Sequence, residues 1–196
     1  MRHAEPILEP GVAPSRWRLS DRGRSHSGLL GERLTRYGPR VVVSSEEPKA
    51  VKMAEIAAER LGIGCSVYPG LHEYDRTGVT FLSDEEFGRA ARGFFAKPYQ
   101  LVWGGETAEE AGGRFEGAVR GVLDERKEGV DTIVAHGTVI SLLVAHHNDL
   151  DASALWRSLG LPSFCVLSAE DLRLREAVSN LKTCNLKPRS LTPDAS

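Results

Sequence analysis

The chain has 196 residues, 41% of them hydrophobic and 27% charged, with a formal net charge of -2. That length supports one domain with a buried core, and the near-neutral balance excludes recruitment to nucleic acid or to an anionic membrane by a global field. No apolar run approaches the ~18 residues of a bilayer span, the first residues do not read as a secretory leader, and Cys65, Cys165 and Cys184 show no metal-site spacing and no even-numbered disulfide framework. Buried thiols in a reducing cytoplasm are the expectation.

The chain opens on Met1-Arg2-His3-Ala4-Glu5-Pro6, a cation beside an imidazole just ahead of a residue that breaks regular structure. Taken alone, the pair is either a nucleophile beside an anion clamp or two polar residues at a ragged terminus. Pro6, Pro10, Gly11 and Pro14 make residues 4–16 a loop. Ser20 can cap a helix running to about Arg36, ended by Gly38-Pro39. Val41-Val42-Val43 is a short, wholly apolar run, as in a buried parallel strand. A helix is expected from about Pro48 to Leu61, because Ala50, Met53, Ala54, Ala57 and Leu61 fall on one face. Residues 63–68 read as the next strand.

Residues 71–106 are the least regular. Ser83-Asp84-Glu85-Glu86 and Thr107-Ala108-Glu109-Glu110 are capping boxes, each opening a helix. Asp131 to Ala135 reads as a buried strand that ends in His136, then Gly137 at a helix start. That helix runs from Thr138 to about His147, and a short one from Ser153 to Leu159. Phe164–Leu167 and Leu172–Val178 read as strands. Strands alternating with helices predict a mostly parallel sheet covered on both faces. Ligands of such sheets bind beyond the carboxyl ends of the strands, where Ser44, Ser45 and His136 are expected.

The ordered set of Arg2-His3-Ala4-Glu5, Leu19-Ser20 with Gly23-Arg24, Ser44-Ser45 with Lys49-Ala50, Leu71-His72-Glu73, Gly105-Glu106-Thr107 and His136-Gly137 resembles the histidine phosphatase superfamily, also called phosphoglycerate mutase-like. The resemblance spans roughly residues 2 to 170. It implies an α/β three-layer sandwich, a mostly parallel central sheet with helices on both faces, its first strand truncated here. Residues 1–184 are expected to form one domain, with 71–106 as a substrate-facing insertion and 185–196 as a loose C-terminal tail.

The implied activity is hydrolysis of a small phosphomonoester, with no cofactor or metal. His3 is the implied nucleophile, forming a phosphohistidine. Arg2 is the implied two-pronged phosphate ligand, His136 a hydrogen-bond donor to the same oxygens, and Glu73 the general acid and base. The N–H groups of Gly137 and Thr138 are expected to add anion-binding dipoles. Neighbouring alternatives to Glu73 are His72, Asp75 and Glu5. No nucleic-acid or membrane partner is implied, and the oligomeric state is not legible.

Two departures matter. Lys49 stands where the family has arginine, supplying charge without the fork; Lys52 is the alternative if the register differs by a turn. Only Met1 precedes the Arg-His pair, whereas a strand takes ~5–6 residues, so an upstream start or a shortened strand is expected. A non-catalytic phosphate-binding or scaffold relative is the second reading. A mutase is the third, and Ile7-Leu8-Glu9-Pro10 lacks that branch's Trp-Asn signature. Arg76, Arg89, Arg92 and Lys97 read as solvated helix faces rather than a substrate mouth, and His146 and His147 as cations at a helix C-terminus.

Overall fold

A computed structural model of the protein describes residues 1–79, 82–126, 129–180 and 182–183. Three parallel strands, β1 (Pro39–Ser44), β2 (Gly64–Val67) and β3 (Val130–Val134), form a sheet in the order β2-β1-β3. Three antiparallel strands, β4 (Ser163–Leu167), β5 (Leu174–Ser179) and β6 (Lys182–Thr183), form another in the order β4-β5-β6.

What joins them is the N-terminal segment. Arg2 bridges Ala135 in parallel on one side and Ser163 antiparallel on the other. The Ala135 N–H donates to Met1 O at 2.7 Å, His3 N–H to Ala135 O at 3.0 Å and Arg2 N–H to Ser163 O at 2.8 Å; the Met1 amino group reaches Ile133 O. The N-terminal segment forms no regular strand, yet these bridges at Arg2 keep Ala135 and Ser163 paired, where a missing partner would leave backbone groups unsatisfied.

Helices cover both faces. Successive side chains of a strand point to opposite sides. Val42 and Val134 accordingly join Leu30, Leu34, Met53, Ala54 and Phe164 in one core, under α1 (Asp21–Leu34) and α2 (Pro48–Leu61). Val43 and Ala135 join Phe94, Phe115, Val119, Val122, Val139 and Leu143 in the other, under α3 (Asp84–Ala96), α4 (Ala108–Glu125), α5 (Gly137–Asn148) and α6 (Ala152–Ser158). The result is an α/β fold with a central sheet between helical layers.

The capping expectations hold. The Ser20 hydroxyl accepts from Gly23 N–H at 3.0 Å, and Ser83 and Thr107 each form both halves of a capping box. Two local expectations need correction. The last long strand begins at Leu174, not Leu172, because Leu172 takes φ 56° in the preceding turn. Cys65 is exposed rather than buried, since β2 lies at the sheet edge with its residues open to solvent. Cys184 and the expected tail, 185–196, lie outside the described residues. No helix among the described residues is long and apolar enough to cross a membrane.

Candidate functional site

The sheet delivers three chain segments to one end. Residue 3 leaves the seam just past Arg2, residue 45 leaves β1, and residue 136 leaves β3 to become the N-cap of α5. His3 and His136 meet there, ring centroids 5.1 Å apart and planes inclined by 60°. Both are buried, at 8% and 0% exposure.

His3 Nδ1 lies 2.7 Å from the carbonyl oxygen of Ala4. A carbonyl only accepts, so Nδ1 carries the ring proton and Nε2 keeps its lone pair. Burial, then the charge of Lys49, then Arg2 and Arg76, push the His3 pKa well below the ordinary 6.5, against an upward pull from Ala4 O. His136 is pushed down as well, by burial first and then by His3, Lys49, Arg76 and His72. Two neutral imidazoles are the consequence at neutral pH. His136 Nε2 sits 2.7 Å from Ser45 Oγ and 3.4 Å from Glu47 Oε1, whereas its Nδ1 is buried with no hydrogen-bond partner.

The Arg2 guanidinium is anchored through Nη1 to Leu159 O, and its Nε is buried without a partner. It lies over Gly137: a Cβ there would come within 2.8 Å of Nε and 2.9 Å of Cζ. The glycine after His136 is thus a steric requirement of Arg2, beyond its place at a helix start. Lys49, on the first turn of α2, is buried. Its ammonium pairs with Glu47 Oε2 and donates to Pro14 O at 2.8 Å. Burial lowers the Lys49 pKa, and Glu47 opposes that. Lys52 instead pairs with Glu55 at 2.8 Å on the outer face of α2, away from the imidazoles.

Glu73 lies at the mouth of α5. Its Oε2 accepts from Thr138 N–H at 3.2 Å, and its Oε1 from Val139 N–H at 3.3 Å and Tyr74 N–H at 3.1 Å. The Thr138 N–H expected to face a bound anion is therefore taken by a side-chain carboxylate, the usual filling of a helix N-terminus. The neighbours differ. His72 faces Glu46 at 3.5 Å, Asp75 accepts from Thr77 N–H at 2.7 Å in a turn, and Glu5 lies 3.6 Å from Arg22. Arg114 from α4 holds the Glu73 loop, donating to Gly70 O at 2.8 Å, His72 O at 3.0 Å, Glu73 O at 3.2 Å and Glu106 Oε1 at 2.6 Å.

Sequence reasoning assigned no role to Glu47, and it read Arg76 as a solvated helix residue. Glu47 is the N-cap of α2, yet its side chain makes no capping bond. It turns inward, is 6% exposed, and touches Lys49, His136 and, as acceptor at 2.8 Å, Glu73 N–H. An acidic residue directly before Pro48 reads as ordinary helix-start chemistry, so its inward turn left no signal in the letters. Arg76 is on no helix; its guanidinium lies over the Tyr74, Phe87 and Trp103 rings and 3.9 Å from Glu73 Oε2. Arg89, in contrast, pairs with Glu85 on an exposed helix face. His147 lies 3.1 Å from Glu116, and together with His146 these donors fall within 4.8 Å of one another on α4 and α5, outside this site.

The family profile described as the histidine phosphatase superfamily (branch 1) matches residues 1–181. The chain belongs to the histidine phosphatase superfamily. A probable phosphoglycerate mutase GpmB of Cronobacter sakazakii is 27% identical over 164 residues, covering 80% of this chain and 69% of that one. The solved complex of a mycobacterial glucosyl-3-phosphoglycerate phosphatase with inorganic phosphate superposes with a TM-score of 0.69 at 25% identity, covering 92% of this chain and 95% of the other. The alpha-ribazole phosphatase of Shigella flexneri shares the fold, with a TM-score of 0.61 at 19% identity, covering 96% and 93% of the two chains.

Proposed function

We propose that the protein is a phosphatase that hydrolyses a small phosphomonoester through a phosphohistidine on His3. The observation that carries this reading is the pairing of His3 with His136, 5.1 Å apart, with His3 Nδ1 committed to Ala4 O. His3 Nε2 attacks phosphorus, the ester P–O bond breaks, and the leaving oxygen takes a proton from Glu73. Glu73 then removes a proton from water, which attacks phosphorus; the N–P bond breaks and phosphate leaves. Arg2 and His136 hold the phosphoryl oxygens, and Lys49 adds positive charge beside them. Two phosphatases among the similar structures, one bound to inorganic phosphate, support the substrate class.

The test is rapid mixing with a labelled aryl phosphate followed by alkaline quench. Acid-labile label on the wild-type chain and none on His3→Ala is the expected result. Hydrolysis that survives His3→Ala would remove the nucleophile from the scheme. A second reading has its own observation: Glu47 neutralises Lys49 and stands beside His136, as expected of a relative that binds weakly without turnover. Saturable phosphate binding with no trapped phosphoenzyme would favour it. A mutase, which the Cronobacter relative's name suggests, would instead show phosphoryl exchange between positions of a glycerate phosphate.

A further inference from the structure

The site has too few free forks for the anion it is read to bind. A phosphoryl group carries three oxygens, and bidentate guanidinium contacts are the strongest neutral-pH ligands for them. Arg2 already uses one nitrogen on Leu159 O. Lys49 has no fork, and its ammonium is divided between Glu47 and Pro14 O.

Arg76 has what Lys49 lacks. It lies between β2 and α3, two residues beyond Tyr74, with its guanidinium carbon 4.7 Å from the Tyr74 ring centre, 5.0 Å from that of Phe87 and 5.8 Å from that of Trp103. These rings come from three separate segments: the Glu73 loop, α3, and the turn before α4. Rings packed on its faces hold a planar cation in place, and apart from an interaction with the Tyr74 hydroxyl they leave its edge N–H groups for a ligand. Its Nε is buried and makes no hydrogen bond, and the nearest carboxylate, Glu73, stands at 3.9 Å, beyond a direct hydrogen bond. Its charge depresses the pKa of His3, His136, Lys49 and Arg2 alike, which places it within electrostatic range of every other member of the site.

We propose that Arg76, mounted on the Tyr74–Phe87–Trp103 rings, is the second two-pronged phosphate ligand of this site and stands in for the fork that Lys49 does not supply. The proposal rests on the phosphatase reading above. The irregular 71–106 stretch then has a definite role, which is to carry a cation to the imidazoles from a segment other than Lys49's helix. A purely structural Arg76, tying Glu73 to an aromatic cluster, would influence melting but not the affinity for inorganic phosphate.

The experiment measures competitive inhibition of aryl phosphate hydrolysis by inorganic phosphate in the wild type, Arg76→Met, Arg76→Lys, Lys49→Met and the exposed control Arg89→Met. Loss of a charge-assisted pair predicts an inhibition constant raised roughly 10- to 100-fold in Arg76→Met. A smaller rise is expected in Arg76→Lys, which keeps charge without the fork. Lys49→Met should fall short of Arg76→Met, and Arg89→Met should match the wild type. An Arg76→Met constant within about twofold of wild type overturns the proposal, as does a larger loss in Lys49→Met. If Arg76→Met does not fold, Arg76→Lys decides, and an unchanged constant there has the same force. Wild-type protein that forms acid-labile label on His3 but binds phosphate independently of Arg76 sinks this inference alone. Protein that neither turns over nor is protected from unfolding by phosphate sinks the phosphatase reading with it.

Discussion

At the scale of single residues, Glu47 is the unusual member of the site. Its carboxylate lies between Lys49 and His136 Nε2, where a phosphoryl oxygen would compete for the same partners. Replacing it by glutamine keeps the shape and an acceptor for Glu73 N–H, and removes the charge. A buried cation that loses its partner costs about 3–5 kcal/mol, so Glu47→Gln should melt lower than wild type in phosphate-free buffer. Added phosphate should then restore part of that loss, giving a larger thermal shift than in wild type. An equal or smaller phosphate shift would show that Glu47 does not compete with the anion. This residue also marks where reading the letters stops. Arg2, His3, Lys49, Glu73 and His136 stood out because each falls in one of the ordered motifs that resemble the histidine phosphatase superfamily. Glu47 sits in a helix-start context that acidic residues fill for ordinary reasons, and only its rotation into the site separates it from Glu46, which faces His72.

At the scale of elements, the helices were the most legible part. The apolar spacing of α2, the capping boxes of α3 and α4 and the glycine closing α2 are local rules, and the structure follows them. The ends of strands were less legible, because pairing decides them. Leu172 has a strand-forming side chain but sits in a left-handed turn, and Lys182–Thr183 pairs with β5 without any alternating pattern to announce it. The start of α5 shows how an element and a residue constrain one another. Alanine is the better helix former, by up to about 1 kcal/mol inside a helix. Gly137→Ala nevertheless puts a Cβ 2.8 Å from Arg2 Nε, so the guanidinium must move. The expected outcome is a variant that melts within a few degrees of wild type yet binds inorganic phosphate at least several-fold more weakly. Wild-type phosphate affinity in Gly137→Ala would mean that Arg2 can leave Gly137 without consequence for the anion.

At the scale of the whole molecule, the seam that joins the parallel and antiparallel halves is also the mount of the site. Arg2 bridges β3 and β4, His3 follows it directly, and His136 follows Ala135, the residue to which the segment is paired. The order of motifs made the architecture legible, but not that a single bridging residue carries the pairing between the halves. That placement has a cost in acid. Both imidazoles are held neutral, with pKa values well below the ordinary 6.5. In the unfolded chain they protonate as pH falls through 6.5, and in the folded chain they do not. The unfolded state then binds more protons, so stability present above pH 6.5 is lost on acidification. Each histidine contributes a slope of up to about 1.4 kcal/mol per pH unit below its unfolded pKa. For the two together, urea unfolding at pH 7.5 and again at pH 5.5 should differ by up to about 3 kcal/mol. The double variant His3→Asn with His136→Asn removes both titrations and should shrink that difference, leaving the part contributed by the buried Met1 amino group, whose pKa is lowered to about 6. Parallel pH profiles for the two proteins would mean that the imidazoles are charged in the fold, and a charged His3 has no lone pair with which to attack phosphorus.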